Sequence, residues 1–214
     1  MKGFFITFEG GEGAGKSTQI KALANNLESL GFDVVITREP GGTLGAEAVR
    51  HVLLSGAGES YGATFETILF ATARLDHLKE TIIPALKMGK IVLCDRFMDS
   101  TRVYQGLERG VRISQLDLLE YIVIGDYKPD LTFILDVPEN IGMERANRRR
   151  GKKHEQDRFE KDTLMIQKKR RHAFIKIAEK EKDRCRLIDA NQDVKIIEKQ
   201  ISEICGECLS LDRS

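Results

Sequence analysis

Residues 10–17 read Gly-Gly-Glu-Gly-Ala-Gly-Lys-Ser and constrain the fold more than any other segment of the chain. They match the pattern G-x-x-x-x-G-K-[ST] at every fixed position. The apolar run at residues 3–8 predicts a buried strand before them, and the helical spacing of apolar residues over 16–30 predicts a helix after them. A glycine-rich loop in this context lets backbone N–H groups approach a polyphosphate, and the helix N-terminus adds positive charge. The segment therefore predicts a nucleoside triphosphate site.

Individual residues of this phosphate-binding loop (P-loop) have predicted roles. Lys16 supplies a point charge for the β- and γ-phosphates of ATP, and the hydroxyl of Ser17 is a predicted ligand of Mg²⁺. The loop does not indicate which group receives the phosphate. The loop residues predicted to bind ATP are Gly10, Gly11, Glu12, Gly13, Ala14, Gly15, Lys16, Ser17 and Thr18.

Short apolar runs alternate with longer helical patterns along the rest of the chain. Such alternation is typical of βαβ units and a parallel sheet. Strands are predicted at 33–37, 90–94, 131–137 and 185–188, and helices at 44–55, 63–88, 114–125, 139–150, 160–182 and 194–209. We therefore predict an α/β, P-loop NTPase fold, with a five-stranded parallel sheet and helices on both faces, as a single domain over residues 1–214.

Composition argues against several classes of protein. The formal net charge is +1 and Trp is absent, so we expect no nucleic-acid partner. No stretch reaches the roughly 20 apolar residues that cross a membrane, and the first apolar run meets Glu9 too early for a signal peptide. Four cysteines without such a signal favour a cytoplasmic protein with free thiols. Cys205 and Cys208 form a single CxxC, for which a metal or redox role and a plain helix face both stay open.

Charged residues follow two of the predicted strands. Arg38 follows the second strand, and Asp95 and Arg96 follow the third. Because ligands of parallel sheets bind at the carboxyl ends of strands, we expect these side chains beside the P-loop. The two arginines could hold a second phosphate, since a guanidinium group binds two phosphate oxygens at once. Surface ion pairs are the alternative for either arginine alone.

Three classes of protein share this loop, namely signalling GTPases, motor-type ATPases and small-molecule kinases. The chain lacks the guanine-reading Asn-Lys-x-Asp, which argues against a GTPase. Arg96 follows Asp95 where a hydrolytic ATPase usually has a carboxylate that orients water. These observations favour a kinase whose acceptor already carries a phosphate.

Several motifs follow one another along the chain. They are the P-loop with Glu9, then Thr37-Arg38-Glu39-Pro40-Gly41-Gly42, then Asp95-Arg96 with Ser100-Thr101 and Tyr104-Gln105-Gly106, and further segments at 129–137 and 157–160. In these motifs the chain resembles the thymidylate kinases over nearly its whole length. The resemblance implies transfer of the γ-phosphate of ATP to dTMP with Mg²⁺, on the path to dTTP, and a homodimer that packs helices of the 63–88 and 114–125 type.

The resemblance also implies roles for individual residues. Arg38 and Arg96 would hold the dTMP phosphate, Phe70 would stack on thymine, and Tyr104 would crowd a ribose 2′-hydroxyl. Glu12 would approach the 3′-hydroxyl or the metal shell, Asp95 would bind Mg²⁺, and adenine would lie near Arg145 and residues 189–192. From the pattern alone, Phe70 would be a core residue and Arg74 a surface charge. The implied dTMP site comprises Arg38, Pro40, Phe70, Arg74, Arg96, Ser100, Thr101, Tyr104 and Gln105.

Residues 148–157 are strongly polar and predict a mobile loop, which we define as the lid loop 148–160. The variable P-loop positions carry no arginine, so the resemblance implies the bacterial type, in which the lid supplies positive charge. Arg148, Arg149 and Arg150 are its candidates, and a solvated basic loop is the alternative. The predicted catalytic residues are Glu12, Lys16, Arg38, Asp95, Arg96, Arg149 and Arg150.

Two rival functions stay open at this point. The first is a deoxynucleoside kinase or a different monophosphate kinase, against which the arginine pair argues only in part. The second is a nucleotide-binding partner protein without catalysis, which would bind ATP but not turn it over.

Overall fold

The computed structural model of the chain describes residues 3–150 and 163–211, apart from the side chains of Arg149, Arg150 and Leu211. The strands within these residues are β1 (Phe4–Gly10), β2 (Val34–Arg38), β3 (Ile91–Asp95), β4 (Leu131–Asp136) and β5 (Cys185–Asp189). These five strands form one parallel sheet in the order β2-β3-β1-β4-β5. This confirms the predicted fold class, since β1 lies centrally and carries the P-loop at its carboxyl end.

Helices cover both faces of the sheet. They are α1 (Lys16–Ser29), α2 (Leu44–Ser55), α3 (Gly62–His77), α4 (Ile83–Lys87), α5 (Met98–Thr101), α6 (Ile113–Val123), α7 (Glu139–Arg150), α8 (Leu164–Lys180) and α9 (Val194–Leu211). Alternate residues of β1 divide between the faces, because successive side chains of a strand point in opposite directions. Ile6 and Phe8 pack with α1 and α9, whereas Phe5 packs with α4 and the start of α5. None of the described helices is both long and apolar enough to cross a bilayer.

Two π-helical segments interrupt the helical runs. The predicted helix 63–88 is α3 and α4 joined by a π segment at Leu78–Ile82, immediately before Pro84. Proline lacks the N–H that an α-helix needs and its ring crowds the preceding turn, so a wider turn at this point has a clear cause. The second π segment, Arg102–Glu108, continues α5. We predicted no helix over 98–108, and this is the main error in the predicted secondary structure.

The strand register brings the predicted charged residues together. Asp95 at the end of β3 lies opposite Phe8 of β1 on one side and opposite Arg38 of β2 on the other. The segment 148–150 belongs to the last turn of α7 and does not begin a loop, which corrects the start of the predicted lid loop. The remainder of that loop, 151–160, lies outside the described residues.

Candidate active site

The P-loop takes the shape that its glycines permit. Gly10, Gly13 and Gly15 have positive φ angles of 131°, 67° and 91°, a region that residues with a side chain rarely adopt. A Cβ on Gly10 would lie 2.5 Å from the carbonyl oxygen of Leu135, and one on Gly13 would clash with the carbonyl oxygen of Gly142. The loop therefore packs against β4 and α7 so closely that only glycine fits at these two positions.

Lys16 is folded back onto the loop that it follows. Its Nζ donates to the carbonyl oxygens of Gly10, at 3.1 Å, and Gly11, at 2.9 Å. Burial lowers the pKa of this ammonium group, and the positive charge of Arg96 lowers it further. A bound polyphosphate would give the ammonium group a negatively charged partner in a site where water is scarce.

Ser17 and Asp95 meet at the junction of α1 and β3. The Ser17 hydroxyl donates to Oδ2 of Asp95 at 2.9 Å. A hydroxyl and a carboxylate are oxygen ligands of the kind that Mg²⁺ prefers, and Mg²⁺ usually takes few protein ligands because phosphates and water complete its shell. Within the described residues no group of three or more His, Cys, Asp or Glu side chains could hold a metal. The Ser17 hydroxyl and the Asp95 carboxylate are two oxygen ligands, which fit a metal that arrives with nucleotide phosphates.

Arg96 occupies the centre of the site in an unusual backbone conformation. Its φ is 69°, the only positive value outside glycine in the described chain. Its Nη2 donates to Oε1 of Glu12 at 2.5 Å, and its Nη1 donates to the Gly10 carbonyl and the Ser100 hydroxyl, both at 3.2 Å. Burial lowers the pKa of this guanidinium group, but Tyr104 and the carboxylates of Glu12 and Asp95 raise it by more, so the group stays charged.

One cleft of ≈ 640 Å³ is lined both by the P-loop and by the predicted acceptor residues. Most of the predicted site residues line it, namely Glu12, Gly13, Ala14, Gly15, Lys16, Ser17, Thr18, Arg38, Pro40, Phe70, Arg74, Asp95, Arg96, Ser100, Thr101, Tyr104 and Gln105. Sequence reasoning missed five further lining residues, which are Lys21, Glu39, Arg50, Leu54 and Phe97.

Arg38 is held less firmly than Arg96, the other arginine predicted to bind the acceptor phosphate. Arg38 is exposed and donates to Glu47 at 2.7 Å, so its side chain can reorient at little cost. Arg50 lies in the same cleft and donates to the carbonyl oxygen of Pro40 at 2.8 Å. Only its position on α2 brings Arg50 to the cleft, which no motif could have revealed.

Arg74 lines the cleft and is held in a buried polar network. Its Nε donates to Oε2 of Glu39 at 2.7 Å, and its Nη2 donates to the Thr101 hydroxyl at 3.1 Å. The other Glu39 oxygen lies 3.2 Å from Nδ1 of His77, whose Nε2 lies 2.6 Å from the Thr37 hydroxyl. The guanidinium group also lies over the Phe97 ring, 4.9 Å from its centroid. This side chain is thus fixed before any ligand binds.

Tyr104 and Gln105 lie on the second π segment. The guanidinium groups of Arg96 and Arg170 lie over the Tyr104 ring, at 5.3 Å and 4.3 Å from its centroid. Gln105 is buried, and its Nε2 has no hydrogen-bond partner among residues 3–150 and 163–211. A buried amide donor on the wall of a cleft is costly unless a ligand or water accepts from it, so Gln105 can bind a polar ligand atom.

Glu9 lies behind Arg96 and was not predicted as a site residue. It is 0% exposed and accepts hydrogen bonds from the backbone N–H of Phe97 at 2.7 Å and the Ser100 hydroxyl at 2.6 Å. Burial raises the pKa of this carboxyl to about 7, and the negative charge of Asp99 adds to the shift.

The predicted adenine end of the site has one described arginine. Arg145 of α7 donates from Nη1 to the carbonyl oxygen of Ala190 at 2.9 Å, beside the turn that follows β5. Three residues predicted to bind ATP do not line the main cleft, namely Arg145, Gly10 and Gly11. Gly10 and Gly11 line a separate, smaller cavity. Arg148 pairs with Glu144 at 2.6 Å on the exposed side of α7. The side chains of Arg149 and Arg150 lie outside the described residues.

A P-loop that shares one cleft with a second group of arginines is the arrangement expected of a nucleoside monophosphate kinase, a class of P-loop phosphotransferase. The family model described as thymidylate kinase matches residues 8–201. The thymidylate kinase of Bartonella quintana (strain Toulouse) is 56% identical over 209 residues, covering 98% of each chain. That of Bartonella henselae is 53% identical over 210 residues, also with 98% coverage. This chain belongs to the thymidylate kinase family.

A solved structure agrees with this assignment. The crystal structure of thymidylate kinase from Ehrlichia chaffeensis matches with a TM-score of 0.76 and 35% sequence identity, over 96% of this chain and 99% of that one.

Proposed function

We propose that this enzyme transfers the γ-phosphate of ATP to dTMP, giving ADP and dTDP on the path to dTTP. The observation that carries the proposal is the cleft that residues of the P-loop line together with Arg38, Arg74 and Arg96. A donor triphosphate and a phosphorylated acceptor can lie end to end in this cleft. The choice of dTMP as the acceptor follows from the names of the relatives, which are thymidylate kinases.

The reaction needs positive charge and alignment more than it needs a general base. The bond between the γ-phosphorus and its bridging oxygen to ADP breaks, while a dTMP phosphate oxygen forms a new bond to that phosphorus. Lys16 and the N–H groups of the P-loop hold the β- and γ-phosphates. Arg96 and Arg38 hold the acceptor phosphate, so that its attacking oxygen faces the γ-phosphate.

Mg²⁺ is part of the proposal as the cofactor. Ser17 and Asp95 would hold it, directly or through water, and it would neutralise charge on the β- and γ-phosphates. Glu12 would accept from the 3′-hydroxyl of dTMP or join the shell of the metal. The Ser17–Asp95 hydrogen bond at 2.9 Å supports this assignment, because it already brings two oxygen ligands together.

The remaining acceptor residues would recognise the nucleoside. Phe70 would stack on thymine, Arg74 and Gln105 would bond to its edge or to the sugar, and Tyr104 would disfavour a 2′-hydroxyl. Pro40, Ser100 and Thr101 complete the wall of the dTMP site. The free Nε2 donor of Gln105 and the fixed guanidinium group of Arg74 support this part of the proposal.

The segment 148–160 would close over the phosphates and supply the transition-state charge through Arg149 or Arg150. The P-loop itself supports this proposal, because its variable positions are Gly11, Glu12, Gly13 and Ala14 and contain no arginine. An inserted arginine is worth about 10³–10⁵ in rate in related phosphotransferases. Arg145 and the turn at 189–192 would bind adenine.

A panel of acceptors tests the proposed function. ADP formation from ATP and Mg²⁺ would be measured with dTMP, dUMP, UMP, dCMP, AMP, thymidine or no acceptor. We expect dTMP to lead and dUMP to follow by a factor of about 10–200, because one methyl group in a fitted pocket is worth ~1–3 kcal/mol. Fastest turnover with thymidine would instead indicate a nucleoside kinase, and ATP binding without turnover would indicate a partner protein.

We also propose that the protein is a cytoplasmic homodimer that uses the exposed faces of α3 and α6. These helices pack against each other and present apolar side chains to solvent, namely Phe65, Ile68, Leu118, Tyr121 and Ile122. A contiguous apolar patch of this kind is typical of a protein interface. The four cysteines are all free thiols, as expected in a reducing compartment.

The substitution Tyr121→Glu tests this interface. Tyr121 is 79% exposed, so the change should leave the fold of one subunit intact while placing a charge within the proposed contact. We expect dimer affinity to fall at least about 30-fold, since a hot-spot residue contributes ~2 kcal/mol or more. Sedimentation equilibrium would measure the dissociation constant. Met88→Glu changes a similarly exposed residue outside these helices and should not alter it, and equal behaviour of both variants would refute the interface.

A further inference from the structure

Glu9 makes its described hydrogen bonds within one short segment. Oε1 accepts from the backbone N–H groups of Phe97, at 2.7 Å, and Ser100, at 3.2 Å, while Oε2 accepts from the Ser100 hydroxyl at 2.6 Å. Burying a carboxylate costs free energy unless hydrogen bonds replace its water shell. Glu9 is fully buried and does not line the cleft, so its bonds serve the protein and no ligand.

The segment that Glu9 holds begins at the strained residue Arg96. A residue with a side chain is strained at φ 69° and keeps this conformation only where the surroundings fix the backbone. The Arg96 N–H donates to the Phe8 carbonyl at 2.9 Å, and the Glu9 carboxylate accepts from the N–H of the next residue. Phe97 precedes α5 and offers no capping side chain, so Glu9 supplies from β1 the acceptor that the start of this helix lacks.

Ser100 links Glu9 directly to the guanidinium group. A hydroxyl has one proton, and Ser100 donates it to Oε2 of Glu9. Its lone pair is therefore directed to Nη1 of Arg96, which donates to it at 3.2 Å. The same carboxylate thus fixes both the backbone and the side chain of Arg96.

We propose that Glu9 is a positioning residue of the acceptor site, whose carboxylate aims the Arg96 guanidinium group at the phosphate of the acceptor. The inference rests on the proposed function, in which Arg96 binds the phosphate of dTMP. Glu9 touches no substrate and acts only through Arg96 and Ser100.

The substitution Glu9→Gln tests the inference at almost constant shape. The amide oxygen can still accept from Phe97, but its NH₂ group cannot accept the proton of Ser100, so the hydroxyl must turn. We expect the KM for dTMP to rise about tenfold, as for loss of one hydrogen bond to a charged group. The ATP dissociation constant should change less than about twofold, and kcat at saturating dTMP less than about threefold, because the described hydrogen bonds of Glu9 go to Phe97 and Ser100 and not to Lys16 or Ser17.

A double-mutant cycle separates positioning from general damage. If Glu9 acts through Arg96, adding E9Q to R96A should change the KM for dTMP by less than about twofold, whereas independent effects would multiply. The matched control is Glu66→Gln, which changes an equally buried carboxylate paired with Arg109 and should leave the KM unaltered. If E9Q does not fold, Glu9→Asp replaces it in the same cycle. It keeps the charge but draws the carboxylate away from Ser100 by one methylene group, and it should behave in the same way.

The possible failures are distinguishable. Wild-type protein that turns over another acceptor, or none, refutes the proposed function. If the wild-type protein prefers dTMP, three results would refute the positioning role alone. E9Q could leave the KM for dTMP unchanged, or raise the KM for ATP as much as the KM for dTMP. The third result is that the effects of E9Q and R96A on the KM for dTMP multiply in the double variant.

Discussion

Replacement of Lys16 by alanine is expected to lower kcat for dTMP phosphorylation by about 10²–10³-fold, the cost of removing one preorganised charge from a transition state. The ammonium group is held within 3.1 Å of the Gly10 and Gly11 carbonyls, at the point where the β- and γ-phosphates would enter the loop. Its charge matters most while negative charge moves from the γ-phosphate to ADP. Steady-state ADP formation would measure kcat, and calorimetry would measure ATP binding.

The control for this prediction is Lys199→Ala, which removes an exposed lysine on α9 and should leave kcat unaltered. ATP affinity in the Lys16 variant should fall less than kcat, because backbone N–H groups of the loop continue to bind the phosphates. If the Lys16 variant keeps more than about a tenth of the wild-type kcat, a loss of under ~1.4 kcal/mol, another group must supply this charge.

Arg96→Ala should raise the KM for dTMP by about 10²-fold or more, because two charge-assisted hydrogen bonds to one phosphate are lost at ~1.5–3 kcal/mol each. ATP binding should change far less. The acceptor panel would be repeated with this variant, and calorimetry would give the ATP dissociation constant. An unchanged KM for dTMP would show that the second phosphate lies elsewhere.

One complication of the Arg96 variant can be controlled. Removal of the guanidinium group leaves the Glu12 carboxylate without its 2.5 Å partner beside the P-loop, where it could repel ATP. The double variant Arg96→Ala with Glu12→Gln removes both charges. We expect its ATP affinity to match that of wild type while its KM for dTMP stays high.

The fold could be predicted because its signals are local. The P-loop fixes a strand before it and a helix after it, and the alternating pattern of the remaining chain leaves a parallel sheet as the consistent solution. The helix over 98–108 was missed because no apolar period marks it. Arg102 pairs with Glu120 of α6 and Glu181 beyond α8, so distant parts of the chain stabilise this helix.

The candidate site was predictable where a motif or a resemblance names the residue. Lys16, Ser17, Asp95 and Arg96 meet as expected, since strand ends of a parallel sheet lie at one edge. Glu9, Glu39 and Arg50 were missed because their roles depend on which side chains meet across the fold. Glu39 lies within a recognised motif, yet only the structure reveals that its carboxylate holds Arg74 and His77.

In the ion pair between Glu12 and Arg96, the Glu12 carboxylate competes with the acceptor phosphate for the Arg96 guanidinium group. A ligand reaches the guanidinium group only by displacing a carboxylate that is already attached to it. A phosphate dianion carries enough negative charge to replace the carboxylate at the guanidinium group, whereas an uncharged nucleoside has no anionic group that could do so. We therefore expect the pair to weaken dTMP binding somewhat, whereas thymidine, which has no phosphate, would leave the pair intact and gain nothing from Arg96. Discrimination against thymidine would thus depend on how much more tightly Arg96 binds a phosphate than it binds the Glu12 carboxylate.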